Sequence, residues 1–460
     1  MKQLFNTYKP HYRDNLRLAI PVVISQLGHI LVQTSDSIIV GHFAGTVALA
    51  AVSLVSSMFM IIMVIGLGLS YGLTPLIAQQ NGKGDYPECG RLLSNSLLVN
   101  MISGVVLFIA IYFGAVLMLG HLDQSPDVVA QAKPFLLLLG LSVIPMLFFN
   151  TFKQFAEGLG FTKQAMYISI GGNVLNIILG ITFVKGLFGI HPMGVRGVGY
   201  STLIDRTMMA TIMSIYVLRS SKFKAYIKGF ALESINWLRV KQIFKIGAPV
   251  AMQYTFEVSA FGGAAIIIGT MGAVPQAAHQ IAINLASITY MMASGISAAA
   301  AIKSGNYFGA KRFHDLRHSA IASYHVVLVF MAITAIMFMV CNQWLPWAYT
   351  SDERVIAIAS QLLIMAALFQ LFDGTQVIGL GVLRGMGDVN VPTIITFLAY
   401  WVVGIPIGYL LGLHLHMGVI GVWIGLVLGL ITASILLFLR FSSISKRHAH
   451  QPLKGEIASD

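Results

Sequence analysis

The chain has 460 residues, of which 57% are hydrophobic and only 10% are charged, and its net charge is +12. An ordinary soluble domain carries roughly 25% charged residues, so the composition excludes a water-soluble globular protein. The basic residues edge apolar runs instead of forming a patch, which makes membrane topology their explanation and leaves no nucleic acid to expect as a partner.

Apolar runs of about 20 residues, each long enough to cross a bilayer as a helix, recur from end to end. Twelve spans are predicted, at 16–40, 47–79, 92–119, 130–153, 164–185, 194–218, 243–270, 276–303, 319–341, 355–383, 391–413 and 417–439. The fold class is therefore an all-α polytopic membrane protein. Charges interrupt the first 17 residues, so no cleavable signal peptide is expected and the first span stays in the mature chain. Of 29 Lys and Arg, Lys133, Lys185, Arg196 and Arg354 fall on one side and Arg206 inside a span, which leaves 24 on the other side with both termini. By the positive-inside rule both ends are cytoplasmic. The two cysteines, Cys89 and Cys341, fall on opposite faces and are not expected to pair.

Span one carries "LVQTSDSIIVGH" (31–42), an aspartate inside an apolar run. Gln26, His29, Gln33 and Asp36 are spaced by 3, 4 and 3, so they share one helix face. An acid at mid-membrane costs roughly 2.5–3.5 kcal/mol on insertion scales, so this stripe must face protein or water. A packing seam would need only amides and hydroxyls; a carboxylate points to a pathway. In span five Asn173 and Asn176 sit one turn apart and are expected to reach towards Asp36, with plain polar packing as the alternative. In span six Arg206 adjoins Asp205, and the two read as a structural pair.

"RSSKFKAYIKGFALESINWLRVKQIFK" follows, a basic, partly amphipathic linker suited to the cytoplasmic lipid surface. In span seven Gln253 and Glu257 lie one turn apart on the face of Pro249. Span eight holds a mildly polar stripe through Gln280, Asn284, Ser287, Met291 and Ser294, with His279 near its outer end. Span ten has Gln370, Asp373 and Gln376 roughly on one face. Glu257 and Asp373 have no Lys or Arg close in sequence, and two such acids in one half point to a cation site between helices. Burial and a neighbouring carboxylate favour proton uptake, while the same oxygens, deprotonated, suit sodium; the residues leave Na+ and H+ both open. With no free basic residue at the midplane, an anionic substrate is not expected. Residues after Arg440 form a polar tail that reads as disordered.

The two halves repeat. Pro21 of "AIPVVISQ" and Pro249 of "GAPVAMQY" differ by 228, Gly82 and Gly309 by 227, Gly158 and Gly385 by 227, and Gly194 and Gly418 by 224. Four matches in order at nearly one offset indicate a duplication. Six spans per half make the repeat parallel, the arrangement of carriers that bracket a substrate path. The expected organisation is an N-terminal lobe 1–218, a linker 219–242, a C-terminal lobe 243–440 and a cytoplasmic tail 441–460. Met and aromatic side chains crowd the same spans, and Tyr254, Phe256, Met291 and Phe369 are candidates to line a cavity for varied apolar or cationic ligands, although most such residues face lipid or pack helices. No GxxxxGK[ST], GxSxG or HExxH sequence occurs, and His414 and His416 lack a third ligand, so neither an enzyme nor an ATP-driven pump is expected.

The chain resembles the multidrug and toxic compound extrusion (MATE) transporters, of the bacterial NorM-like branch, over nearly its whole length. The resemblance rests on "AIPVVISQ", "SDSIIVGHFAG" (35–45), "AAHQIAINL" (277–285) and "GVLRGMGDVNVP" (381–392) together with the two six-span lobes. It implies the fold of that superfamily, with lobes related by a pseudo-two-fold axis around a cavity. It also implies export of cationic or amphiphilic compounds against inward sodium or proton flow. It assigns Glu257 and Asp373 to a cation site, with Na+ as a possible occupant, and Asp36 to the other functional carboxylate. Gln33, His29, Asn173, Asn176, Gln253, Gln280, Asn284 and Gln370 are the supporting polar lining. Two departures stand out: Phe369 replaces an aromatic hydroxyl one turn before the span-ten acid, and Gly180 replaces an Asp that another branch has four residues after its span-five Asn. No bound cofactor and no obligate protein partner are expected, and a monomer in a bacterial cytoplasmic membrane is the simplest assembly. The alternative is a lipid-linked oligosaccharide flippase of the same superfamily, which would favour a basic cavity and often fourteen spans.

Overall fold

The computed structural model of the protein describes residues 2–121 and 124–449, and among these there is no strand. The helices are α1 (Lys2–Phe43), α2 (Thr46–Ser70), α3 (Leu73–Lys83), α4 (Tyr86–Ala110), α5 (Val116–Leu119), α6 (Pro126–Gly158), α7 (Thr162–Lys185), α8 (Val195–Arg219), α9 (Trp237–Gly269), α10 (Ala273–Gly309), α11 (Phe313–Val340), α12 (Trp344–Trp347), α13 (Glu353–Gly385), α14 (Asn390–Phe397), α15 (Ile405–Tyr409) and α16 (Gly418–Ala449). Among the described residues, eleven helical segments are long and apolar enough to cross a membrane. The twelfth, α8, has 25 residues, and Arg196, Asp205, Arg206 and Arg219 dilute its apolar character. Local signals set several ends. Asp85 caps α4 by accepting from Glu88 N, Ser125 caps α6 by accepting from Val128 N ahead of Pro126, and Gly186 closes α7 in the left-handed region that suits glycine.

The chain divides into two compact units. The N unit comprises Ile24–Asn81 and Asp85–Thr255, and the C unit Met1–Val23, Gly82–Gly84 and Phe256–Asp460. In the N unit α6 packs along α2, α4 and α8, and α7 along α8. In the C unit α13 packs along α10, α11 and α16. Both α1 and α9 contribute to both units, dividing after Val23 and after Thr255.

Four features differ from the sequence expectation. First, α1 begins at Lys2, well before the predicted span. Its polar N-terminal part is held by contacts within the C unit: Asn15 Nδ2 donates to Ser319 O and Ser323 Oγ, Lys303 pairs with Asp14 at 3.1 Å, and the Tyr12 hydroxyl lies 2.8 Å from His325 Nδ1. Second, the linker is not merely laid on lipid. It forms short 3₁₀ turns docked on α4: Asn95 Oδ1 accepts from Asn236 N, Asn95 Nδ2 donates to Ser234 O, and Arg239 clasps Glu88 at 2.7 Å. Phe223 is buried against Phe155, Phe161 and Tyr216, while Leu232, Trp237 and Leu238 stay exposed. Third, α16 continues to Ala449, so residues 441–449 are not a disordered tail. Arg440 pairs with Asp388 at 2.9 Å, Ser445 Oγ accepts from Arg317, and His448 stacks on Phe313. Residues 450–460 of that expected tail lie outside the described residues. Fourth, the predicted third and eleventh spans contain π-helical stretches, Ile111–Ala115 in the former and Leu398–Gly404 and Leu410–His414 in the latter.

Glycines fix the closest packing. Gly404, Gly408 and Gly412 face Gly421, Gly425 and Gly429 on α16 at a spacing of four, and a carbon added at Gly425 would meet the backbone of Gly408. This is the small-residue seam by which membrane helices approach backbone to backbone.

Candidate functional site

The C unit brings Glu257 on α9 and Asp373 on α13 into electrostatic range of one another, each only 4% and 2% exposed. Hydroxyls and amides surround them. Tyr290 on α10 hydrogen-bonds the Glu257 carboxylate. The Tyr400 hydroxyl donates to Gln376 Oε1 at 2.8 Å and lies in electrostatic range of both acids. Thr334 Oγ1 donates to Gln370 Oε1 at 2.6 Å, which orients that amide beside Asp373 in the helix. Asp373 Oδ1 is buried with no hydrogen-bond partner among the described residues. Tyr400 sits in the π-helical stretch Leu398–Gly404. π-Helical turns often mark functional sites, and a wider turn re-aims the side chains it carries.

Phe369 is a packing residue and not part of a cavity wall: it is buried between Phe261 and Trp423. The hydroxyl it lacks is supplied from elsewhere, by Tyr290 and Tyr400. Neither tyrosine stands out in the sequence as a candidate. Nor does Arg384 on α13, which lies in electrostatic range of Glu257. Phe256 is half-buried, its ring against Phe397 and its carbonyl accepting from Trp401 Nε1. Met291 is half-buried beside Tyr290. Gln280 and Asn284 are exposed, and Gln280 Nε2 donates to Asn284 Oδ1. His279 is buried, with Trp423 Nε1 donating to its Nδ1 at 3.0 Å, so it serves as a structural hydrogen-bond acceptor. Gln253 and Tyr254 lie in the portion of α9 that belongs to the N unit, Gln253 buried and Tyr254 packed on Tyr71.

In the N unit, Asp36 on α1 is half-buried and its Oδ1 has no hydrogen-bond partner among the described residues. His29 and Gln33 on the same stripe are exposed. The asparagines of α7 do not reach Asp36. Asn176 donates to Thr202 Oγ1 and hydrogen-bonds the Asp205 carboxylate. Asn173 Nδ2, without a partner, rests against Gly28, where any side chain would collide with it. Nor do Asp205 and Arg206 pair. Successive residues on a helix do not face each other, and Arg206 Nη1 donates to Ser142 Oγ at 2.7 Å with its guanidinium 5.6 Å over the Phe59 ring. Lys153, at the end of the predicted fourth span, is buried 3.9 Å from Glu157.

Comparison with known proteins gives this arrangement its family. The MatE family model matches twice, at residues 21–182 and 249–410. The chain belongs to the MatE family. The two matches begin at Pro21 and Pro249, the prolines that set the repeat. A multidrug resistance protein MdtK of Yersinia enterocolitica is 35% identical over 441 residues, covering 95% of this chain and 96% of the relative. Its counterpart in Yersinia pestis is equally similar over 442 residues. Among solved structures, a MATE protein in a bent conformation aligns with a TM-score of 0.87 at 22% identity, over 98% of this chain and 99% of its own. An outward-facing multidrug resistance MATE transporter of the MOP superfamily aligns at 0.85 and 20% identity, over 96% and 97%. The fold of this MatE protein is therefore the MATE fold.

Proposed function

We propose that the protein is a secondary active exporter of cationic or amphiphilic organic compounds, driven by inward movement of Na+ or H+ through alternating access. The observation that carries this reading is the Glu257–Asp373 pair, two buried acids in charge range with an unpartnered oxygen, in a MatE chain whose Yersinia relatives are named multidrug resistance proteins. Two carboxylates, the Tyr400 hydroxyl and the neighbouring amides form a hard-oxygen donor set, the kind that suits a sodium ion or a proton. Like charges held in a low dielectric repel strongly. The pair therefore has a high affinity for one monovalent cation. Tyr290 and Gln376 hold the acids and the Tyr400 hydroxyl in place while the charge changes. A conformation that exposes the neutralised pair is favoured by the ion, and one that exposes the bare pair by an organic cation. Differential affinity of this kind is what shifts a two-state equilibrium. In this reading the membrane is a bacterial cytoplasmic one and both termini lie in the cytoplasm, an orientation that the excess of Lys and Arg on that side supports.

The test uses purified protein in liposomes loaded with a fluorescent organic cation, with a sodium or a proton gradient imposed singly. Dye movement driven by one gradient is the expected result. Movement that ignores both gradients removes the antiport reading and restores the flippase.

A further inference from the structure

The connection from α11 to α13 in the C unit builds a cavity of about 650 Å³ that the proposed function does not use. This is the size of an ordinary small-molecule site, roughly 300–1,000 Å³. α11 ends at Val340, the backbone turns, and the short α12 follows. Trp344 N and Leu345 N both donate to Cys341 O, which closes the turn, and Pro346 is buried beneath it. Trp344 and Trp347 lie three residues apart, on one side of this single helical turn. Both line the cavity, and they stand 73% and 72% exposed.

The first turns of α13 supply the rest of the wall. Glu353, Ala357, Gln361 and Ile364 are spaced by 4, 4 and 3, so they share one helix face, and all four line the cavity. Asp352 caps α13 and holds the Arg354 guanidinium at 3.0 Å, so the cation next to Glu353 in sequence is already paired. Glu353 itself has no ion pair among the described residues, and it is the one acid or base among those that line the cavity. Ser360 Oγ is buried there without a hydrogen-bond partner among the described residues, although buried polar atoms normally have one. The lining therefore offers one negative charge, two indole rings, the amides of Gln343 and Gln361, and no positive charge. Indole faces attract a cation through their quadrupole, and a carboxylate supplies the counter-charge and a charge-assisted hydrogen bond. An anion would meet Glu353 unopposed.

We propose that this cavity is a peripheral binding site for a free organic ammonium ion, with Trp344 and Trp347 as its walls and Glu353 as the counter-charge. It is separate from the Glu257–Asp373 pair: twenty residues of α13 lie between Glu353 and Asp373, about 30 Å along the helix. In the orientation proposed above, the cavity lies at the outer end of the C unit, where an exported cation is released. Binding itself does not depend on that orientation or on export.

The test titrates a nitroxide-bearing trimethylammonium ion, which quenches indole fluorescence at short range, onto the purified full-length protein in maltoside detergent. An uncharged nitroxide is the control. Saturable quenching by the cation and non-saturable quenching by the uncharged probe are expected. Glu353→Gln leaves both reporter indoles in place and should raise the half-saturating concentration about tenfold. Glu353→Asp, which keeps the charge, should stay near the wild-type value, and this holds the result apart from a folding defect. Trp347→Leu should weaken binding, read from the Trp344 signal, by about two- to fivefold. If the two tryptophans are only interfacial anchors, both probes quench without saturation, Glu353→Gln changes nothing, and the inference fails. If phosphatidylethanolamine added to the micelles abolishes the saturable quenching, a lipid headgroup holds the site and the free-cation reading fails. Gradient-driven dye export is read in a different assay, so this inference and the proposed function can each fail alone.

Discussion

The acids of the two units invite a direct comparison. In the C unit Glu257 and Asp373 are fully buried and dressed by tyrosine hydroxyls and glutamine amides. In the N unit Asp36 is half-buried, Asp205 is held by an asparagine, and a guanidinium stands within range of both. The difference is older than the local packing. At the offset of 228 that relates Pro21 to Pro249, Glu257 corresponds to His29 and Asp36 to Ala264; at 227, Asp373 corresponds to Met146; at 224, Asp205 corresponds to Gly429. None of the four acids has an acidic counterpart. The two halves share the prolines and glycines of the scaffold but not its charges. The two units therefore carry chemically unlike acid clusters.

The largest effect that tests this contrast is expected at Glu257. Glu257→Gln should reduce gradient-driven dye export in liposomes by about 100-fold, near the upper end of measured coupling, at unchanged protein incorporation. Asp36→Asn should cost less, about tenfold, because Asp36 is half-buried and less dependent on neutralisation. If the order were reversed, the N unit would be the principal ion site. Tyr400→Phe sharpens the contrast inside the C unit. It leaves Gln376 Oε1 without its donor at about 1 kcal/mol and should weaken ion affinity roughly fivefold, read from the ion concentration that half-saturates export. The smallest change is expected at the linker. Arg239→Ala removes a partly exposed ion pair and should lower unfolding stability by about 1 kcal/mol or less with little change in export, seen as a small drop in the thermal unfolding midpoint.

The helical spans and the duplication were legible because hydropathy and glycine spacing are one-dimensional signals. Asp36, Glu257 and Asp373 stood out for the same reason, as charges inside apolar runs. Partnership was not legible. Asp205 and Arg206 looked paired because they are adjacent in sequence, but adjacent helical residues point about 100° apart, and Arg206 turns to Ser142 and Phe59. Tyr400 is far from both acids in sequence, and the π-helical stretch that carries it alters the side-chain register that a regular helix would predict. The extension of α1 was missed because Tyr12, Asp14 and Asn15 are polar and lack the pattern of an apolar span; their partners lie on α10 and α11, some 300 residues away.

The glycine seam between residues 404–412 and 421–429 bounds how the site can change over generations. A carbon added at Gly421, Gly425 or Gly429 would stand within 2.7 Å of facing backbone, so a substitution at any of these three wedges the helices apart. Tyr400 lies at one end of this seam, in the π-helical stretch that ends at Gly404. New ligand preferences in this protein are therefore expected to arise by exchanging side chains around the acids, while the frame that carries Tyr400 stays fixed.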